Sequence, residues 1–394
     1  MAGEWRHTKL GDVVEINPEA LGSDWPYDHI RYVDISSVGE GFLIELPRHL
    51  IITDAPSRAK RLVRSGDTIL STVRPNRRSM YFVKESSPDL VVSTGFAVLR
   101  PRENLIEPRY LYACVFDKNF TEYLVSREKG AAYPAVLPED IADAVINLPP
   151  LPEQRAIAAV LGALDDKIEL NRRMNRTLES IAQAVFREMM KDEGGRMNGR
   201  ETTIGEVVTV VGGTTPSTTN SAFWGGDICW ATPKDLASLQ SPILLDTNSR
   251  ITELGLQEIS SGILPAGTVL LSSRAPIGYV AITHIPVAIN QGFIAIKCTD
   301  EVPNYFILNW LKDNMEEIIG RANGTTFLEI SKSNFRTIPI FIPPVEKMKN
   351  FVEIVEPIYQ KIVANLKQSR TLAALRDALL PKLMRAEVRV AVHE

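Results

Sequence analysis

Two hydrophobic periods divide the chain. Up to Leu148, and again from about Arg200 to Ile342, short apolar runs alternate with polar residues and are bounded by Gly, Pro, Asn and Ser. Gly66-Asp67-Thr68-Ile69-Leu70-Ser71-Thr72 and Gly278-Tyr279-Val280-Ala281-Ile282-Thr283 are examples. A period of two sends successive side chains to opposite faces, so these runs predict strands. Helical stretches intervene after Pro108 and Pro303, since proline in a first helical turn forfeits no needed donor. The last strand of each stretch, Val145-Ile146-Asn147-Leu148 or Ile338-Pro339-Ile340-Phe341-Ile342, stops at paired prolines, which cannot donate to a ladder.

Beyond the prolines the period changes to alternating steps of three and four. Leu161, Leu164, Ile168, Asn171, Asn175, Leu178, Ala182, Val185 and Met189 form one stripe. Val355, Ile358, Ile362, Asn365, Ser369, Leu372, Leu379 and Leu383 form a second, interrupted by Arg376. Such stripes are seams of a coiled coil, and two seams in one chain can cover each other. Gly162 and Pro357 predict a break between a short leading helix and each long one, and Gly194-Gly195 predict the first helix's end. Asn171 and Asn365 share a seam position, flanked by Asn175 and Ser369. Buried amides there would fix register, because one alignment alone lets them bond each other; otherwise this part of the stripe faces solvent or another protein.

The whole pattern is written twice. Thr8-Lys9-Leu10-Gly11-Asp12-Val13-Val14 returns as Thr202-Thr203-Ile204-Gly205-Glu206-Val207-Val208, 194 residues later, and Pro149-Pro150 returns as Pro343-Pro344 at the same offset. In between the offset drifts: Thr68-Ile69-Leu70 and Arg74 match Thr268-Val269-Leu270 and Arg274 at 200, and Gly95-Phe96 matches Gly292-Phe293 at 197. A period this long is a duplicated domain with variable loops, since solenoid units run about 20 to 50 residues.

With 394 residues, 44% hydrophobic and 23% charged, the chain has the composition of a globular protein of two or three domains. It has no apolar run of signal-peptide or membrane-helix length, so a cytoplasmic protein without membrane attachment is expected. Cys114, Cys229 and Cys298 are isolated and suit a reducing compartment. A net charge of −4 argues weakly against nucleic acid, but its distribution overrides the sum. Arg58, Lys60, Arg61, Arg64, Arg74, Arg77 and Arg78 stand in one short stretch against Asp67 alone, either a solvated basic face or a grip on phosphates.

Catalytic motifs are missing. No GxxxxGK[ST] loop occurs, Asn147-Leu148-Pro149-Pro150 lacks the form of an amino-methyltransferase motif, and the histidines are scattered. Binding chemistry remains. Arg74-Pro75-Asn76-Arg77-Arg78 leaves a strand through a proline turn, placing guanidinium forks and an amide on a loop suited to a major groove. Asn290-Gln291 has the same chemistry in the second half, with Thr232, Lys234, Arg274, Arg321, Thr325 and Thr326 as further donors. Tyr133 and Phe327 follow equivalent glycines and serve either core packing or stacking near DNA. Arg274 could instead share with Arg74 a structural ion pair.

Several longer motifs occur in a recognisable order: Leu148-Pro149-Pro150-Leu151-Pro152-Glu153-Gln154, Leu164-Asp165-Asp166-Lys167-Ile168-Glu169-Leu170-Asn171, Phe223-Trp224-Gly225-Gly226-Asp227-Ile228, Thr232-Pro233-Lys234-Asp235-Leu236, Arg274-Ala275-Pro276-Ile277-Gly278, Asn290-Gln291-Gly292-Phe293 and Gly324-Thr325-Thr326-Phe327. In these the chain resembles the specificity subunit of Type I restriction-modification enzymes. The second proline motif, Pro343-Pro344-Val345-Glu346-Lys347-Met348, departs by lacking the Glu-Gln pair.

The resemblance implies an α+β protein in which two similar α/β target-recognition domains are joined by long helices forming an antiparallel, pseudo-twofold coiled coil. The expected pieces are residues 1–150, 151–195, 196–344 and 345–394. It further implies a non-catalytic subunit that reads a bipartite, asymmetric site on double-stranded DNA. Two modification subunits, and restriction subunits in the full complex, would use S-adenosylmethionine, ATP and Mg, with no cofactor in this chain. Glu153, Gln154, Leu161, Leu164, Ile168, Asn171, Leu178, Ile358, Ile362, Asn365, Leu372 and Leu379 are then the expected coiled-coil and docking residues. The 27 residues from Leu164 to Met190 would span ~40 Å and set the spacer between half-sites. A protein-binding scaffold and a stand-alone methyltransferase or nuclease are the competing readings.

Overall fold

A computed structural model describes residues 5–22, 24–130, 134–191, 198–324 and 328–391. Its contacts gather Met1–Leu170 with Gln368–Glu394 into one unit and Asn171–Lys367 into another. The two long helices, Leu151–Met190 and Val345–Met384, are therefore divided, each giving one half to each unit. Four consecutive pieces do not describe this arrangement, because the helix halves bury residues in the cores of the heads.

Unit 1 holds β1 (Arg6–Lys9), β2 (Val14–Ile16), β3 (His29–Val33), β4 (Arg48–Ile51), β5 (Ala59–Leu62), β6 (Thr68–Ser71), β7 (Met80–Phe82), β8 (Leu90–Ser93), β9 (Phe96–Pro101) and β10 (Val145–Leu148). They form sheets ordered β2-β9-β6-β7 and β4-β3-β8-β5 and a β1-β10 ribbon. Unit 2 holds β11 (Arg200–Thr203), β12 (Thr209–Val211), β13 (Trp224–Ala231), β14 (Ile243–Leu244), β15 (Ser249–Ile251), β16 (Val269–Ser273), β17 (Ile277–Thr283), β18 (Ala288–Ile289), β19 (Phe293–Lys297) and β20 (Pro339–Ile342). Its sheets run β12-β19-β16-β17-β14 and β15-β13-β18, with a β11-β20 ribbon. Thr8 opposes Ile146 and Thr202 opposes Ile340, so the ribbons repeat at the offset of 194.

Ladder register corrects the alignment of the middle. Thr68 pairs with Leu99 and Ser71 with Phe96, whereas Val269 pairs with Ile296 and Ser272 with Phe293. Since Phe96 and Phe293 are 197 apart, Ser71 matches Ser272 and the strand offset is 201, not 200. The Thr72 N–H donates to the Gly95 carbonyl (2.9 Å) as the Ser273 N–H donates to that of Gly292 (2.8 Å), which confirms the register. Arg274 therefore occupies the place of Val73, and Ala275-Pro276 that of Arg74-Pro75. Arg74 and Ala275 share a left-handed backbone, at φ 49° and 52°. A slip of one residue exchanges the faces of a strand, so Arg74 and Arg274 are not counterparts.

Both long helices are continuous, against the expected breaks. Pro357 is exposed, so the carbonyl it leaves without a donor can bond water, while Val355, Tyr359 and Ile362 stay buried around it. Gly162 is buried, and a Cβ there would lie 2.4 Å from the Arg109 guanidinium. Its role is to let Arg109 reach Asp166 at 3.0 Å. The first helix ends at Met190; Gly194 and Gly195 lie outside the described residues.

Leu161, Ile168, Ile362 and Leu383 are buried as the seam requires, and Leu164, Leu178, Ile358, Leu372 and Leu379 are half-buried. In unit 1 Asp165 meets Arg376 and Asn147 meets the Met384 carbonyl; in unit 2 Asn175 meets Asn365 and Phe186 meets Phe351. The pairing within unit 2 is therefore antiparallel. The amide pair joins Asn365 to Asn175 at 2.8 Å, and Asn171 donates to the Asn365 carbonyl at 3.4 Å.

Candidate nucleic-acid interface

In each unit one tight turn gathers the polar chemistry. Ser93-Thr94-Gly95 joins β8 to β9 and Asn290-Gln291-Gly292 joins β18 to β19. A side-chain oxygen closes each turn: the Gly95 N–H donates to Ser93 Oγ (3.3 Å), and the Gly292 N–H to Asn290 Oδ1 (2.9 Å). A helical turn packs closely on each glycine, so a larger residue would have to displace its neighbour. An added Cβ would meet Ile35 Cδ1 at 2.1 Å in unit 1 and Pro233 Cγ at 3.0 Å in unit 2. Both turns lie at the carboxyl end of a parallel strand pair, β3 with β8 and β13 with β18. In open sheets that end is where ligands bind, because the chain diverges there and leaves a crevice.

Several of the expected cations collect beside the unit 1 turn. The Thr94 N–H donates to the Arg58 carbonyl (2.8 Å), and Arg61 Nη2 approaches the Thr94 carbonyl at 3.5 Å. Thr72 binds Gly95 through both N–H (2.9 Å) and Oγ1 (3.0 Å), which brings the Arg74 corner to the same end. Arg74 donates its N–H to the Pro134 carbonyl (2.8 Å), while Asn76 and Arg77 project as exposed residues. Arg58 and Lys60 are exposed too. Arg61 is half-buried, its buried Nε has no hydrogen-bond partner, and it meets no carboxylate among the described residues. Burial pulls its pKa below the usual arginine value. Such a cation lacks the counter-charge that normally accompanies burial.

Other residues expected at the DNA are engaged inside the protein. Arg64 pairs with Glu19, which also binds Arg100 at 2.8 Å. Arg78 has its side chain 13% exposed and is held by Glu40 (2.7 Å), the Phe116 carbonyl (2.6 Å) and the Thr121 hydroxyl. Sequence showed the charge of these two arginines and not their partners, which lie 45 and 38 residues away.

In unit 2, Gln291 is exposed and accepts from the Thr215 hydroxyl, while Lys234 is exposed on the helical turn Pro233–Ala237 that packs on Gly292. The Thr232 N–H and hydroxyl both donate to Asp235 (2.8 and 2.7 Å), so Thr232 is a helix cap. Arg274 faces Glu329 at 3.6 Å, and Arg321 pairs with Glu317 at 2.8 Å on its own helix. Tyr133, Thr325, Thr326 and Phe327 lie outside the described residues.

Glu153 and Gln154 prove internal to unit 1 rather than open for docking, at 5% and 1% exposure. Gln154 accepts from the Glu107 N–H (2.8 Å) and donates to the carbonyls of Pro149 (2.8 Å) and Leu105 (3.3 Å). Glu153 accepts from the Trp5 indole (3.1 Å) and pairs with Arg389 (3.3 Å). At Gln154's place unit 2 carries Met348, buried in its apolar core, which explains the missing Glu-Gln pair.

Among the described residues no His, Cys, Asp and Glu cluster could hold a metal. Burial pushes the thiols of Cys114 and Cys298 up, the latter to about 12, far from a reactive thiolate. No helix among the described residues is long and apolar enough to cross a membrane.

Comparison with known proteins places the chain in a family. A family model described as the Type I restriction modification DNA specificity domain matches residues 2–180 and 200–371. The Type I restriction enzyme HindI specificity subunit of Haemophilus influenzae is 25% identical, over 98% of this chain and 100% of that one. The MjaIX specificity subunit of Methanocaldococcus jannaschii is 25% identical, over 98% and 94%. A crystal structure of the Type-I restriction-modification system S subunit from M. genitalium shares the fold, with a TM-score of 0.58 at 15% identity over 97% of this chain and 96% of that one.

Proposed function

Since the chain belongs to the Type I restriction-modification DNA specificity family, we propose that the Thr94 and Gln291 turns are the DNA-facing tips of its two recognition heads. The chain is a non-catalytic specificity subunit: it recognises DNA sequence and assembles with methyltransferase and restriction subunits. The observation that carries the tips is their shared construction, in which one glycine turn per head gathers side chains able to contact DNA. Arg61, half-buried without a counter-charge, fits a phosphate or a guanine edge, and Gln291 fits an adenine edge.

The tips differ in side chains, Thr94 with Arg58 and Arg61 against Gln291 with Lys234, so the target is asymmetric and in two parts with an unread spacer. The subunit binds two modification subunits, one for each half-site. It needs no cofactor of its own: S-adenosylmethionine serves the modification subunits, ATP and Mg the restriction subunits. It acts in the cytoplasm, where its DNA lies.

The test is sequencing of methylated bases in a host with and without this gene. Loss of adenine methylation at one two-part asymmetric motif is expected on deletion. An unchanged methylome, together with a purified complex that binds cognate and scrambled DNA alike, would leave the protein-binding scaffold as the better reading.

A further inference from the structure

Arg376 breaks the apolar stripe of the second long helix, and its surroundings explain why an arginine stands in a seam. Its side chain is 13% exposed and binds Asp165 on the first helix at 2.8 Å and Asp377 at 2.8 Å. Its guanidinium lies 4.3 Å from the centroid of the Phe116 ring. That ring carries a second guanidinium, Arg78, at 5.2 Å. Arg78 is also held by the Phe116 carbonyl and by Glu40, and it closes the corner Pro75–Arg77 through its N–H to the Pro75 carbonyl (2.9 Å). A continuous ladder thus runs from Asp165 through Arg376, Phe116 and Arg78 to the exposed side chains of Asn76 and Arg77, all within unit 1.

Among the described residues unit 2 has no such ladder. The seam positions of Asp165 and Arg376 are taken there by Tyr359 and Ala182, and the place of Arg78, by the register of β7 and β17, by Gly278, which shares its positive φ. Tyr359 stacks on Tyr305 at 4.8 Å and bonds Asn309. A half-buried charged pair in a helix seam is a poor source of stability compared with apolar packing, so its use in one head alone calls for a role other than packing. Two cations on one aromatic ring repel each other, and each is offset by its own carboxylate, Asp165 or Glu40. That balance makes the position of each guanidinium depend on the other.

We propose that Arg376 and Arg78 are positioning residues for DNA recognition in unit 1. The ladder sets the Arg74–Arg77 corner from the helix pair, so whatever changes the helix seam changes the reading of one half-site and leaves the other alone. This inference rests on the corner facing DNA, as proposed above.

The test uses the full chain assembled with its modification subunit. Arg376→Lys keeps a cation for Asp165 but loses the planar face over Phe116. Phe116→Leu keeps an apolar filler but loses the ring. Affinity is measured across a salt series on the cognate duplex and on duplexes with either half-site scrambled. For both variants cognate binding should weaken by about three- to thirtyfold, the range expected when a cation–π interaction is removed. Discrimination should fall at one half-site only, with an unchanged salt slope and a thermal midpoint lowered by no more than a few degrees, out of proportion to the loss of discrimination. Arg77→Ala, which takes away a side chain that itself meets DNA, should instead lower the slope by about 0.9. Unchanged discrimination in both variants, equal loss at both half-sites, or a loss that tracks the thermal midpoint would overturn the ladder. A wild-type complex that cannot tell cognate from scrambled duplex would overturn the recognition reading itself, and the ladder with it.

Discussion

Replacing Lys60 and Arg61 together by alanine should change the salt dependence of DNA binding by an amount the structure sets in advance. Of the seven cations between Arg58 and Arg78, Arg64 and Arg78 are neutralised by Glu19 and Glu40. Arg58, Lys60, Arg61 and Arg77 meet no carboxylate among the described residues, and phosphate is the anion left to them. Removing one cation from a phosphate lowers the slope of log K against log salt by about 0.9, so the slope of the double variant should fall by up to about 1.8. Between 50 and 200 mM salt the wild-type complex should therefore lose about twelvefold more affinity than the variant. Arg64→Ala, which removes a cation already paired, should leave the slope unchanged. Fluorescence anisotropy on the assembled complex at four or five salt concentrations reads both. A double variant with the wild-type slope, or an Arg64→Ala variant with an equal loss, would refute the placing of phosphates at this turn.

Two further predictions concern stability. Gln154→Met gives unit 1 the residue that unit 2 carries, but it orphans the Glu107 N–H and the Leu105 and Pro149 carbonyls; about 2–4 kcal/mol should be lost, and an unchanged denaturation midpoint would show that water replaces the amide. Burial raises the Asp165 pKa above its ordinary 3.8 despite the opposing pull of Arg376, so protonation of Asp165 favours the fold, a contribution present at low pH and lost as pH rises through the raised value. Arg376→Ala removes that pull and leaves a half-buried carboxylate without its partner, so it should cost about 2 kcal/mol at neutral pH and distinctly less in acid; a loss independent of pH would contradict the assignment.

Much of this architecture was legible as period. The switch from two to three-and-four at Pro149-Pro150 and Pro343-Pro344 marks where each long helix begins, because side-chain spacing follows backbone geometry directly. Partners distant in sequence were not legible. Thr68-Ile69-Leu70 and Thr268-Val269-Leu270 match by residue type at the wrong register, since apolar pattern tolerates a slip that the hydrogen bonds to Gly95 and Gly292 forbid. Glu153 and Gln154 looked like a surface pair. Burial follows from the loop and proline carbonyls at the helix start, which need donors that no strand supplies. Gly162 and Pro357 carried correct local propensities that packing overrode. For the site, Asn290-Gln291 was visible by chemistry. Its unit 1 counterpart Ser93-Thr94 was not, because a hydroxyl pair has no distinctive signature. The equivalence of Gly95 and Gly292 was the available signal.

The claim that each unit reads its own half of the target is tested most directly by methylome sequencing of two variants in the same host. One carries Arg61→Ala with Thr94→Ala, the other Lys234→Ala with Gln291→Ala. The account predicts that the first relaxes the motif at one half-site and the second at the other, each leaving the opposite half and the spacer intact. Relaxation of the same half-site by both variants, or an unaltered motif in either, would contradict it.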